Sequence, residues 1–276
     1  MKAVRLKERD TVLNILSAGG LKVDNKFIKI ADELNKHVSK EYRKENIDKI
    51  NVNKFDKADV NCKVWILPCG SGDVPYLDEF KQDKVCILNF ASSKYPGGGF
   101  LTGAHAQEEN LCYHSNLHDV LSKHNEFYEL NRSNTYRGLY LDGIIYSINV
   151  LFFRQNFTNK EPVFANVITC AAPNMGVALK NGVSKSEVEN TMKRRLEAIM
   201  KVAIDNGNRT LVLGAFGCGV FKNDVKYVAE ITRDLLFKTG YGRYFNNIII
   251  PAISEDDRVY KTFKEVFKEQ TNENNK

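Results

Sequence analysis

The sequence has no apolar run near the roughly 20 residues that cross a bilayer, which argues against a membrane-spanning helix and a membrane partner. Its opening, MKAVRLKERD, carries a charge every few residues and no apolar core, so it is not read as a secretory signal. A cytoplasmic location is expected, with a nuclear one open if the source is eukaryotic. No two of the six cysteines stand in C-x-x-C spacing, and no histidine completes a zinc pattern around them. Reduced thiols packed as small apolar side chains are expected, with no metal and no other cofactor. The G-x-x-x-x-G-K-[ST] loop is missing, so triphosphate hydrolysis is not indicated. Internal repeats and low-complexity tracts are missing too, apart from the polar tail Gln270–Lys276, which is expected to fray. Neither sign of charge dominates: 40 Lys and Arg against 34 Asp and Glu leave +6. That balance suits an anionic ligand but is too diffuse to indicate direct DNA binding.

What is present is ordinary soluble composition, 43% hydrophobic and 27% charged, which sets aside collagen, coiled coil and wholesale disorder. A chain of 276 residues makes one large domain or two small ones. The first sixty residues read differently from the rest. Ile30, Leu34, Val38 and Tyr42 fall at every fourth position, a helical stripe. The expected division is a helical N-terminal extension over 1–60, a body over 61–270 and a frayed tail over 271–276, acting as a monomer.

In the body, apolar and β-branched runs predict strands at Val64–Leu67, Val85–Phe90, Ile144–Phe153, Val163–Ala171, Leu211–Phe216 and Ile248–Pro251. Their continuous apolarity predicts burial on both faces. Helices are predicted between most of them. In Ser184–Asn206, Val188, Met192, Leu196, Ile199 and Ala203 make one stripe, Ser184 and Glu187 stand at capping-box spacing, and Gly207 stops the helix. Two more are predicted over Asp224–Lys238 and Ser254–Lys268. Alternating strands and helices predict an α/β fold, three α/β/α layers around a mixed sheet. Ligands bind such sheets where strands end and helices begin.

Two of those joints are unusual. After Val85–Phe90 come Gly97, Gly98 and Gly99, then Gln107, Glu108 and Glu109 in the first turn of a predicted helix. Acidic residues there also suit the helix dipole. Three consecutive glycines cost folding entropy that an ordinary turn does not need, and bare N–H groups can surround a phosphate or sugar. Adjacent glutamates on a helix point about 100° apart, so one faces a reacting centre while the other positions the ligand. A desolvated glutamate here should have a raised pKa, fitting a general acid. At the second joint, Gly217, Cys218, Gly219, Val220 and Phe221 deliver the chain to a helix start, an anion-binding arrangement. Phe221 offers an aromatic face for a base or sugar, or folds back on the sheet. Cys218 has no histidine close in sequence to activate it.

Asn174, at a strand end, either contacts ligand or caps its own turn. Asn89, inside an apolar strand, needs a partner from the fold or the ligand. His114 and His118 are four apart, a metal spacing, but lack the H-E-x-x-H context.

The stretches VCILNFASSKYPGGGFLTGAHAQEE, VFANVITCAAPN and GAFGCGVFKND together resemble the bacterial-type poly(ADP-ribose) glycohydrolases, a divergent branch of the macrodomain fold. The resemblance runs from about Val64 to Ile253, and more loosely into the helical extension. It implies a macrodomain-like body and release of ADP-ribose from poly(ADP-ribose) or ADP-ribosylated proteins, without a metal. It implies that Gly97, Gly98 and Gly99 wrap the diphosphate and distal ribose, with Gln107 among the binding residues. Glu109 would be the catalytic acid and Glu108 would hold the ribose bearing the scissile bond. The loop Gly217–Phe221 would cover the diphosphate, with Phe221 against the distal ribose; Asn89 and Asn174 are weaker transfers. Phe100 and Phe216 stand where the family often has Trp. A non-catalytic ADP-ribose reader, a hydrolase of mono-ADP-ribosyl or other ADP-ribose derivatives, and an RNA-binding protein are the alternatives.

Overall fold

The computed structural model describes residues 2–58 and 60–272. The chain opens with α1 (Lys2–Ala18), the hairpin β1 (Gly20–Val23) and β2 (Lys26–Lys29), α2 (Ala31–Leu34), β3 (Val38–Arg43) and α3 (Lys44–Asp48). The body follows with β4 (Lys63–Leu67), β5 (Val85–Phe90), α4 (Gln107–His114), α5 (Leu117–Leu121), α6 (Asn125–Ser133), β6 (Gly143–Gln155) and β7 (Thr158–Cys170). Then come α7 (Met175–Lys180), α8 (Lys185–Asp205), β8 (Thr210–Val212), α9 (Val225–Arg233), β9 (Asn247–Pro251), α10 (Arg258–Val266) and α11 (Lys268–Asn272).

The main sheet has the order β3-β6-β7-β5-β8-β9-β4. β7, β5, β8, β9 and β4 run parallel, while β6 is antiparallel to both β7 and β3. Both faces are covered. Cys86 and Leu88 of β5 enter one core with Leu196, Ile199, Val228 and Phe263. Val85 and Ile87 enter the other with Leu111, Leu117, Leu121 and Tyr128. Alternate side chains of one strand thus feed opposite cores, which is why β5 is apolar throughout. This is the mixed three-layer α/β architecture expected.

Several local expectations need correction. The stripe Ile30, Leu34, Val38 and Tyr42 is not a helix: Val38 and Tyr42 lie on β3, which pairs with β6. The helical part of the N-terminal segment is mainly α1. β8 ends at Val212 rather than Phe216, because Gly214, at φ 143°, turns the chain. The last large helix starts at Arg258, since Asp257 rather than Ser254 caps it, accepting from Val259 N–H at 2.9 Å. Of the tail expected to fray, residues 271 and 272 close α11, and 273–276 lie outside the described residues. α8 follows its predicted stripe and cap, with Ser184 Oγ accepting from Glu187 N–H at 3.1 Å.

Candidate active site

Three neighbouring strands, β7, β5 and β8, deliver the three motif segments side by side at their C-terminal ends. Phe90, the last residue of β5, packs on Phe216 with ring centroids 5.8 Å apart, so the two glycine-rich joints meet there.

At the first joint, Gly97 and Gly98 take φ of 67° and 59°, the left-handed region that favours glycine. Space demands glycine as well. A Cβ on Gly98 would stand 2.5 Å from Glu109 Oε1 and 2.8 Å from Glu108 Oε2. The triplet is therefore packed directly onto the two carboxylates. α4 begins at Gln107, as expected, and puts both glutamates in its first turn. Glu109 is 7% exposed. Its Oε1 accepts from Gly99 N–H at 2.7 Å and its Oε2 from Ala106 N–H at 2.8 Å. Gly98 N–H donates to Tyr95 O at 3.1 Å. The N–H groups of Gly98 and Gly99 are thus engaged within the loop and on Glu109, where sequence reasoning had them wrapping a diphosphate.

Glu108 turns the other way, towards β5. Its Oε2 accepts from Ser92 N–H at 2.6 Å and its Oε1 from Asn89 Nδ2 at 3.2 Å. Burial pushes its carboxyl up to about 8, and the neighbouring Glu109 adds to the rise. The N–H donors of Ser92 and Gly97 and the Asn89 amide pull the other way.

Three residues expected to touch ligand also make contacts within the fold. Gln107 Oε1 accepts from Phe90 N–H and its Nε2 donates to Leu88 O, both at 2.8 Å. β8 pairs with β5 only as far as Ile87, and this side-chain amide takes the next backbone groups. Asn89 is fully buried, and its Nδ2 also donates to Thr169 Oγ1 at 3.2 Å. It positions Glu108, and among the described residues its Oδ1 has no partner. Asn174 Oδ1 caps α7 by accepting from Val177 N–H at 3.1 Å.

At the second joint, Gly217 at φ 73° would bring a Cβ to 2.5 Å from Ala172 Cβ. Asn223 Nδ2 donates to Gly217 O and Pro173 O, each at 2.9 Å, locking the loop to the end of β7. Val220 is exposed and nothing crowds Gly219. Phe221 is half-buried, its ring 6.0 Å from that of Tyr140. Burial pushes the Cys218 thiol up to about 12, which disfavours the thiolate.

His114 and His118 do not form a ligand pair. Ser115 is extended and ends α4 between them. His114 accepts from Phe157 N–H at 3.3 Å, and burial lowers its pKa to about 4. His118 packs on Phe100 in a tilted pair, ring centroids 4.9 Å apart. Among the described residues no group of His, Cys, Asp and Glu could hold a metal ion.

Sequence reasoning missed Ser92, Thr169 and Asn223, whose roles are purely tertiary. It also missed the segment 136–140, where Tyr136, Arg137 and Tyr140 all take positive φ. Arg195, buried in α8, holds this segment by donating to the carbonyls of Leu139, Tyr140 and Leu141. Non-glycine positive φ is costly and concentrates at functional sites, and here it aims Tyr140 at Phe221.

The microbial-type PARG catalytic domain model matches residues 9–155, just over half of the chain. Among solved structures, poly(ADP-ribose) glycohydrolase (PARG) from Thermomonospora curvata is similar with a TM-score of 0.87 and 29% identity, over 96% of this chain and 100% of that one. The Deinococcus radiodurans PARG in complex with ADP-ribose gives 0.77 and 27%, over 91% and 100%. No curated protein sequence matches. With both glycine joints and the paired glutamates in place, and this match in sequence and fold, the chain belongs to the family of microbial-type PARG catalytic domains.

Proposed function

We propose that this protein hydrolyses the ribose–ribose O-glycosidic bonds of poly(ADP-ribose), releasing ADP-ribose, with Glu109 as general acid and base. The observation that carries the assignment is the seat of Glu109. Its carboxyl is buried at a helix start between two backbone N–H groups, 2.7 and 2.8 Å away. As Glu109 gives its proton to the leaving ribose oxygen, the C–O bond breaks and the anomeric carbon becomes oxocarbenium-like. The Gly99 and Ala106 N–H groups already point at the carboxylate that forms, so its charge is met by fixed donors. The ionised Glu109 then takes a proton from water, whose oxygen bonds to the anomeric carbon. That returns Glu109 to its starting state.

Glu108, with its carboxyl at about 8, keeps its proton at neutral pH and can offer an O–H to a ribose hydroxyl. Its neighbours Asn89 and Ser92 fix its direction. The diphosphate and distal ribose of the substrate lie under Gly217–Phe221 and against the side-chain-free backbone of Gly97–Gly99, whose Gly98 and Gly99 N–H groups stay engaged within the loop and on Glu109, with Phe221 and Tyr140 presenting aromatic faces. No described helix is long and apolar enough to cross a membrane, and the proposed setting is a cytoplasmic monomer.

The test is incubation of the protein with poly(ADP-ribose) and, separately, with mono-ADP-ribosylated protein, the products resolved by chromatography. Free ADP-ribose from polymer supports the reading. ADP-ribose binding without release makes the protein a reader, and release from the mono-ADP-ribosylated substrate alone makes it a different hydrolase.

A further inference from the structure

The two N–H groups that hold Glu109 belong to Gly99 and Ala106, the two ends of one short loop. The direction of the carboxylate therefore depends on the shape of residues 100–105. Inside the loop, Ala104 N–H donates to Gly99 O at 3.0 Å, and Tyr113 Oη donates to Ala104 O at 3.0 Å. From the N-terminal side, α1 reaches over the crest. Arg9 Nη1 donates to Leu101 O at 2.6 Å and Arg5 Nη1 to Gly103 O at 3.4 Å. Gly103, at φ 77°, lies so close to α1 that a Cβ there would stand 3.2 Å from Leu6.

α1 is itself firmly seated. Val12 and Ile15 are buried in the same core as Phe100 and Leu111. Glu8 pairs with the buried Arg154 at 2.7 Å, and Arg154 donates to Tyr113 O at 3.4 Å. Arg9 and Arg5 reach from the same helix to two backbone carbonyls of the loop.

We infer that α1 is a clasp for the acid loop, and that Arg9 is a positioning residue for Glu109. This rests on the assignment of Glu109 as the acid. Freed from Arg9, the crest of the loop relaxes and Gly99 and Ala106 no longer hold their spacing. A misplacement of about 1 Å at a reacting group costs up to about 100-fold in rate; partial loosening here gives a smaller loss.

The experiment compares wild type, Arg9→Ala, Arg9→Lys and Val4→Ala, the last on an exposed face of the same helix. Two readouts are taken: kcat and KM on poly(ADP-ribose), and amide hydrogen exchange of Gly99 and Ala106. Arg9→Ala should lower kcat about ten-fold with KM within two-fold, and should speed exchange at both amides. Arg9→Lys, which keeps one donor, should recover part of each. Val4→Ala should match wild type in both. An Arg9→Ala protein with wild-type kcat and exchange overturns the clasp, as does one whose only change is a raised KM. If wild type releases nothing from polymer, the functional reading fails, and the exchange at Gly99 and Ala106 still decides the clasp by itself.

Discussion

Gly99 and Glu109 are joined by a 2.7 Å hydrogen bond from the backbone N–H of the one to a carboxylate oxygen of the other. With the Ala106 contact, it leaves neither oxygen of the proposed acid free to swing. Catalysis by such a group depends on placement before reaction.

Replacing Glu109 with Gln keeps shape and removes the proton relay. Turnover of poly(ADP-ribose) should fall by roughly 100- to 10,000-fold, while ADP-ribose affinity measured by calorimetry stays within a few-fold. The new NH2 must also face either Gly99 or Ala106 N–H. That leaves one donor unmet, and the variant should lose about 1–3 kcal/mol of stability in denaturant melts. Full turnover by this variant would remove Glu109 from its role.

Gly98→Ala should be destabilising by about 2 kcal/mol or more, because the added carbon meets both carboxylates in a left-handed backbone. Polymer hydrolysis should vanish with it. Gly219→Ala provides the contrast: with no atom within 4 Å of its added Cβ, its stability should stay within about 0.5 kcal/mol of wild type. Equal melts for the two would contradict the packing described.

Stability should fall as pH rises from 6.5 to 8. Glu108 has a folded pKa pushed up to about 8 from the ordinary 4.5. Between those values the folded chain holds a proton that the unfolded chain has lost, so ionisation favours unfolding. His114 acts oppositely, with a folded pKa near 4 against 6.5. It adds stability as pH rises over that lower range, as does His118, which burial also lowers, so the histidines offset Glu108 below 6.5. Above 6.5 the histidine contribution fades and Glu108 leads the fall, with a slope of up to about 1.4 kcal/mol per pH unit. Glu108→Gln should flatten this limb in melts followed across pH; an unchanged slope would refute the raised carboxyl.

Gln107→Ala should cost about 1–3 kcal/mol, since Leu88 O and Phe90 N–H lose their partner. ADP-ribose affinity should stay within about two-fold, as the side chain is spent on the sheet. A large affinity loss with unchanged stability would return Gln107 to the binding surface.

The chemistry-bearing parts were legible because they are local. The glycine triplet and the two glutamates are close in sequence, and a strand before and a helix after fix their geometry. β3 was not legible for a physical reason. A spacing of four is shared by the helix, at 3.6 residues per turn, and by every second residue of a strand. Val38 and Tyr42 fit both, and only the pairing with β6 decides. The backbone partners of Gln107 and Asn174 were not legible, because an amide beside a glycine-rich loop looks the same in sequence whatever it bonds. Asn89 was half legible: its burial demanded a partner, but nothing in the sequence identified that partner as Glu108.

The position of β5 has one more consequence. Its neighbours are β7 and β8, which begin at Thr158 and Thr210. Both lie beyond Gln155, where the family match stops. A nascent chain that has just emitted Gln155 already carries every glycine of the triplet and both acids, yet β5 still has two bare edges. The two acids therefore gain their full scaffold only once Val212 has joined the sheet.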